Sequence, residues 1–170
     1  MQNILLVDGY NMIGAWKELR PLRDTNFEEA RNRLLELMAE YKAAMGWRVI
    51  VVFDAYHVPG IEQNYIQNAV EIIYTRKNET ADERIEKLTN ELKGRKRQIY
   101  VATSDLTEQN VIFGNGALRK SARELEIEMQ IIQEQISAEV KTTKVERPPS
   151  RIQLPREVEI EFEKWRRGLK

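Results

Sequence analysis

The chain contains no cysteine. That absence excludes a disulfide framework, thiol catalysis and any cysteine-ligated zinc or iron–sulfur site. It contains one histidine, His57, so a histidine-rich metal site is impossible as well. Net charge is missing too: 27 Lys and Arg balance 27 Asp and Glu over 170 residues. A polybasic protein that holds nucleic acid by bulk charge is thereby excluded. Nor is there a long apolar run. The first, Ile4-Leu5-Leu6-Val7, ends on Asp8. It is too short for a signal-peptide core or for the ~20 apolar residues of a spanning helix. The expectation is a cytoplasmic protein with one main domain.

Scarcity is most informative among the acids. Twenty-two are Glu and only five are Asp: Asp8, Asp24, Asp54, Asp82 and Asp105. The charge is also unevenly spread. Residues 141–170 carry nine basic and five acidic side chains, for +4, against −4 over residues 1–140.

Ile4 to Val7, Trp47 to Phe53, Val70 to Tyr74, Ile99 to Ala102 and Met129 to Ile132 read as β-strands. Most are apolar throughout, the pattern of a parallel sheet buried on both faces. A loop is expected from Asp8-Gly9-Tyr10-Asn11 to about Asp24. Thr25 and Glu28 form a capping box for a helix through Phe27, Leu34 and Tyr41, stopped by Gly46. Thr80 and Glu83 form another, opening a helix toward Gly94. Ala55 to Gln63 reads as a loop. Gly114-Asn115-Gly116 precedes a helix with Ala117, Leu118, Ala122 and Leu125. Alternating strands and helices imply an α/β fold. Residues 1–136 are expected to form the main domain. Residues 137–170 read as a basic C-terminal helical extension packed on it, with Ser137 capping a short helix and Pro155 opening the last one.

Asp8, Asp54 and Asp105 stand at or within three residues of a strand end, and Asp82 stands in the first turn of a helix after a strand. Parallel strands share one C-terminal edge, where ligands bind. Four of the five Asp thus converge on one rim, with Glu79 beside them. Asp is also common in turns and helix caps, which accounts for Asp24. Clustered carboxylates repel unless a cation is present. Mg2+ or Mn2+ prefers such oxygen ligands, and a metal so held suits phosphodiester hydrolysis.

Other acidic α/β sites fit less well. An aspartyl-phosphate enzyme wants a second Asp where Tyr10 stands. A receiver domain wants adjacent acids where Leu6 and Val7 stand. There is no GxxxxGK[ST] loop, and Gly114-Asn115-Gly116 follows a loop rather than the first strand. His57 sits in a loop with no nucleophile motif nearby.

Leu5-Leu6-Val7-Asp8-Gly9-Tyr10-Asn11 resembles the signature of NYN-domain nucleases of the PIN-like superfamily. Val52-Phe53-Asp54-Ala55, Glu79-Thr80-Ala81-Asp82 and Ala102-Thr103-Ser104-Asp105 resemble the later acidic motifs, in matching order. The chain is most similar to the YacP-like branch, down to Trp165-Arg166-Arg167-Gly168. The resemblance implies a PIN-like three-layer α/β/α fold with a five-stranded parallel sheet of order 3-2-1-4-5. It implies a divalent-metal endoribonuclease leaving 5′-phosphate and 3′-hydroxyl ends. Asp8, Asp82 and Asp105 match the metal ligands, with Asp54 and Glu79 in support. Asn11 matches a polar residue that orients Asp8 or the substrate, and Ser104 is placed to position Asp105 or a water. The branch includes ribosome-associated enzymes that cut messenger RNA. The expected partners are therefore RNA and the ribosome, with no membrane and no small-molecule cofactor. The alternative is a non-catalytic RNA- or ribosome-binding module on the same fold.

Phosphate contacts give affinity without sequence information. Arg119, Lys120 and Arg123 follow the loop after the fourth strand and can reach the rim. Lys164, Arg166 and Arg167 form a second basic group. Lys93 to Arg97 lies at the opposite end of its strand and suits a remote surface such as ribosomal RNA. Tyr10, Trp16 and Tyr56 stand in loops leaving the rim, placed for stacking on bases. Trp47 and Trp165 are expected to pack in the core or under the last helix.

Overall fold

The computed structural model describes residues 1–55, 64–67, 69–104, 116–142 and 155–168, with only the backbone for 64–67 and 141–142. In chain order the elements are β1 (Gln2–Asp8), α1 (Gly9–Ala15), α2 (Arg20–Thr25), α3 (Phe27–Met45), β2 (Arg48–Phe53), β3 (Asn64–Gln67), β4 (Val70–Tyr74), α4 (Ala81–Leu92), β5 (Arg97–Ala102), β6 (Leu118–Lys120), α5 (Ala122–Thr142) and α6 (Arg156–Arg166).

The sheet runs β3-β4-β2-β1-β5-β6. Its five parallel strands have the order 3-2-1-4-5 among themselves. Antiparallel β3 is added at the β4 edge. β1 lies at the centre: Ile4 to Val7 are fully buried, and successive side chains face opposite layers. Leu5 and Val7 meet the layer of α1, α3 and α5. Ile4 and Leu6 meet α4 through Ile85 and Leu88.

Four local expectations are corrected. The fifth parallel strand is Leu118–Lys120, and Met129 to Ile132 belong to the 21-residue α5. Met129 and Ile132 are buried three residues apart, which is helical spacing that a four-residue apolar run disguises. Ser137 likewise lies inside α5, not at a helix start. The segment from Gly9 to Thr25 holds two short helices rather than a loop. They are too short to form alone, and Met12, Ile13, Trp16 and Leu19 pay for them by burial in the core. Finally, the α3 cap is Asn26, whose side chain accepts from the Glu29 amide at 3.1 Å, while Thr25 closes α2. The other caps stand: Thr80 accepts from the Glu83 amide at 3.2 Å, and Gly46 ends α3 at φ 72°.

Charge is buried between β6, α3, α5 and α6. Lys120 and Glu128 are both fully buried and ion-paired. The Tyr41 hydroxyl donates to Glu128 at 2.9 Å. The Lys120 ammonium lies 5.4 Å from the Trp47 ring and 5.5 Å from the Tyr100 ring. Arg166 of α6 enters the same cluster, 3.7 Å from Glu128 and 3.9 Å from Glu124, with its guanidinium 5.2 Å from the Tyr100 ring. Phe162, one turn earlier, is 2 % exposed. Trp165 packs at 5.4 Å from Phe162, and Trp47 stacks on Tyr100 at 4.6 Å. The last helix is therefore held by one aromatic anchor and one buried arginine. Lys120 and Arg166, expected on RNA, are instead internal ties: a fully buried ammonium cannot reach a phosphate outside.

Burial pushes the Glu124 carboxyl up to about 7, against the opposing pull of Lys120 and Arg166. An acid whose pKa is raised by folding lowers stability as pH rises between its unfolded and folded values. Glu124→Gln is therefore expected to match the wild type in urea unfolding below about pH 4.5. It should flatten the decline between there and about pH 7, and a wild-type-like slope across that window would contradict this assignment.

Candidate active site

β1 ends on Asp8, which is 9 % exposed and caps α1, its carboxylate accepting from the Asn11 amide at 3.4 Å. The intervening glycine has a steric reason. A Cβ on Gly9 would lie 2.3 Å from the Phe53 ring, so only glycine lets the chain turn from β1 into α1 over the end of β2. Asn11 then reaches across the edge. Its Oδ1 accepts from both the backbone N–H and the hydroxyl of Ser104, each at 2.8 Å. The first turn of α1 is thus fastened to the end of β5, immediately before Asp105. Asn11 orients that strand end through its oxygen, and its amide hydrogens make no other bond among the described residues.

Asp54 follows β2 directly. The strand ends beside it are locked: the Thr75 amide donates to Phe53 O at 3.0 Å, and the Ala55 amide to the Thr75 hydroxyl at 2.9 Å. Asp82 is exposed in the first turn of α4, where its charge also favours the helix dipole. Asp8, Asp54 and Asp82 therefore share the C-terminal edge of the sheet. Among the described residues no three acids or histidines form a group able to hold a metal. Asp105 lies outside the described residues, as do Tyr56, His57, Gly114 and Asn115. The chemistry of the donors, carboxylate oxygens without sulfur or imidazole, fits Mg2+ or Mn2+.

Glu79 has a different role from the other acids. It is 7 % exposed, and both oxygens are engaged, one by Arg84 at 2.6 Å and the other by Lys87 at 2.8 Å. Burial alone would raise its carboxyl. Hydrogen bonds from Arg84, Lys87 and the Arg76 amide outweigh that and bring it down to about 2. As placed, Glu79 braces the entry to α4.

The aromatic expectations divide. Trp16 is 2 % exposed and its indole N–H donates to Ala122 O at 2.9 Å, so it is a core residue rather than a stacking platform. Tyr10 is half-buried, edge-on to Phe27 and Phe53, and its hydroxyl accepts from Arg31 at 3.4 Å. Of the cations, Arg123, Lys164 and Arg167 are exposed and Arg119 is partly so. Arg167 is paired with Glu163 at 2.8 Å.

Two cations near the rim escape a motif reading. Lys17 and Arg20 stand beside Ser104 and Arg123 around a depression of about 330 Å3. Their signal was the three-residue spacing Lys17, Arg20, Arg23 in a segment read as a loop, which is the spacing of one helical face.

A three-layer α/β/α sheet of order 3-2-1-4-5 with carboxylates at its C-terminal edge is the NYN/PIN-like fold, whose NYN domains are generally nucleases. A family model described as the YacP-like NYN domain matches residues 5–167, and the chain belongs to that family. It is 56 % identical over 166 residues to uncharacterized protein YacP of Bacillus subtilis (strain 168), covering 98 % of both chains. A crystal structure of Rae1 (YacP) from Bacillus subtilis superposes with a TM-score of 0.75 at 56 % identity, covering 97 % of this chain and 95 % of that one. A single-residue mutant of the same protein gives 0.76 at 53 % identity, covering 98 % and 96 %.

Two outcomes check this geometry. Gly9→Ala is expected to lower the urea midpoint by about 1–3 kcal/mol of stability, the usual cost of forcing a methyl into a packed site. Its effect should be smaller in a Phe53→Leu background. Glu79→Gln should be less stable than the wild type at neutral pH. The gap should persist above about pH 4.5 and close as pH falls toward 2, because a depressed acid adds stability only where it is ionised.

Proposed function

We propose that the protein is a divalent-metal-dependent endoribonuclease that cleaves single-stranded RNA in the cytoplasm and leaves 5′-phosphate and 3′-hydroxyl ends. The observation that carries this reading is Asp8. It is a nearly buried carboxylate at the end of the central strand, joined through Asn11 to the strand end that precedes Asp105. A carboxylate so placed is costly to bury unless it meets a cation.

Asp8, Asp82 and Asp105 are the residues that would hold Mg2+ or Mn2+, with Asp54 close by. A divalent ion there supplies water activation and neutralises charge on the scissile phosphate. The chain's own residues do the rest. Asn11 sets the relation of β1 to β5 and offers amide hydrogens to a phosphate oxygen. Arg119 and Arg123 lie on the β6 side of the rim, and exposed Lys164 and Arg167 extend the basic surface onto α6. Tyr10 contributes a half-buried ring beside Asp8. Messenger RNA on the ribosome is the proposed substrate setting. Likeness to the ribosome-associated branch supports it, and so does zero net charge, because weak general affinity suits an enzyme whose substrate is presented by a larger partner.

Asp8→Asn and Asp82→Asn are each expected to cut Mg2+-dependent cleavage of an RNA oligonucleotide by about 10²-fold or more, the scale of losing one group that supports transition-state charge. Their far-ultraviolet circular dichroism should be unchanged. Chelator should abolish wild-type cleavage and Mg2+ restore it. Full activity in Asp8→Asn would sink the assignment, and RNA binding indifferent to chelator without cleavage would favour the non-catalytic module.

A further inference from the structure

The cations of this protein are mostly committed to carboxylates. Arg33 binds Glu18 and Glu36, Arg48 binds Glu71, and Arg84 and Lys87 bind Glu79. Lys17, Arg20 and Arg123 are different. All three are exposed, and none forms an ion pair with a described residue. They come from separate parts of the chain, the α1–α2 region and the start of α5, yet they line one depression with Ser104 and Ser121. The single acid in its lining, Glu126, is turned to a structural use: its carboxylate accepts the Lys17 backbone N–H at 2.8 Å and ties the α1–α2 turn to α5.

The floor is rigid. Trp16 is buried beneath it and bonded to Ala122 O, and the Arg20 amide donates to Trp16 O at 2.9 Å. The cations are thus mounted on fixed backbone, and their side chains alone remain free to adapt. The first turn of α5 opens at the same place, so the positive end of its dipole adds to the field. Ser121 satisfies only one of its amides, accepting from the Glu124 N–H at 3.0 Å.

The depression is also joined to the catalytic edge. Ser104 lines it, and Ser104 is bonded to Asn11, whose amide caps onto Asp8. A strand whose scissile phosphate lies over Asp8 would therefore run past Ser104 into this basic recess.

We propose that Lys17, Arg20 and Arg123 form a subsite for the sugar-phosphate backbone of single-stranded RNA next to the cleavage point. This rests on the endoribonuclease reading of the Asp8 edge and adds where the flanking strand lies. Cations without base-reading partners hold phosphate regardless of sequence. The subsite should therefore confer affinity and salt dependence, not base preference.

The test is fluorescence anisotropy of a labelled single-stranded RNA with the full-length Asp8→Asn protein in Mg2+, across a series of KCl concentrations. Adding Lys17→Ala, Arg20→Ala and Arg123→Ala together is expected to weaken binding at least about tenfold and to reduce the slope of log affinity against log salt by about 2, near 0.7 per phosphate contact. Lys42→Ala, at the opposite end of the sheet, should leave the slope unchanged. In the cleaving protein the triple substitution should raise KM far more than it lowers kcat. Unchanged affinity and slope in the triple variant, with wild-type cleavage intact, would overturn the subsite and leave the nuclease reading standing. Equal losses from Lys42→Ala and Arg123→Ala would overturn it as well, since bulk charge would then suffice. A wild type that neither binds nor cuts RNA would overturn both readings.

Discussion

The parallel pairing of β1 with β2 on one side and β5 on the other is the constraint on which the rest depends. Ile4 to Val7 are buried on both faces, and their backbone groups are used by two neighbours. A slip of one residue would exchange the two apolar layers, so register is tightly held. Because all the paired strands run the same way, everything that follows a strand end is delivered to one edge. Asp8 sits at the middle of that edge because β1 sits at the middle of the sheet. Gly9 is the hinge that makes this possible, since no larger residue can turn past Phe53.

A second constraint works from the opposite direction. Lys120, Glu128, Glu124, Arg166 and Tyr41 place charge and polarity where water is absent. Such a cluster contributes little net stability, because desolvation offsets attraction, but removing any one partner is expensive. It therefore acts as a register pin. β6, α3, α5 and α6 must all be in place for the charges to be matched. The basic Trp165-Arg166-Arg167 ending, which invites a nucleic-acid reading, is divided by this device: Arg166 turns inward and Arg167 outward. The same division applies in β6, where Lys120 is buried and Arg119 is partly open.

Neutral overall charge conceals this allocation. Most arginines are matched to glutamates at short range, and the few aspartates are kept for the sheet edge. Glu79 shows the contrast, since two cations satisfy both of its oxygens. What is left over is local: carboxylates at strand ends and unpaired cations beside Ser104. An enzyme acting on a polyanion needs both, one to gather a cation and the other to seat the strand.

Much of this was legible before any coordinates. Runs such as Leu5-Leu6-Val7 and Val49-Ile50-Val51-Val52 announce buried parallel strands, because only two covered faces tolerate unbroken apolar sequence. The ordered acidic motifs at their ends gave the family, the strand order and the edge where chemistry belongs. Sequence alone misplaced the fifth strand, because a short apolar run looks the same in a strand and on a buried helix face. It also took Lys120, Arg166 and Trp16 for surface groups, since charge or aromaticity in one dimension carries no record of burial. Which cations are spent inside and which stand free is decided only when distant segments meet. That pairing depends on distance through space, as with Lys120 and Glu128 or Asn11 and Ser104, and residue order by itself does not encode it locally.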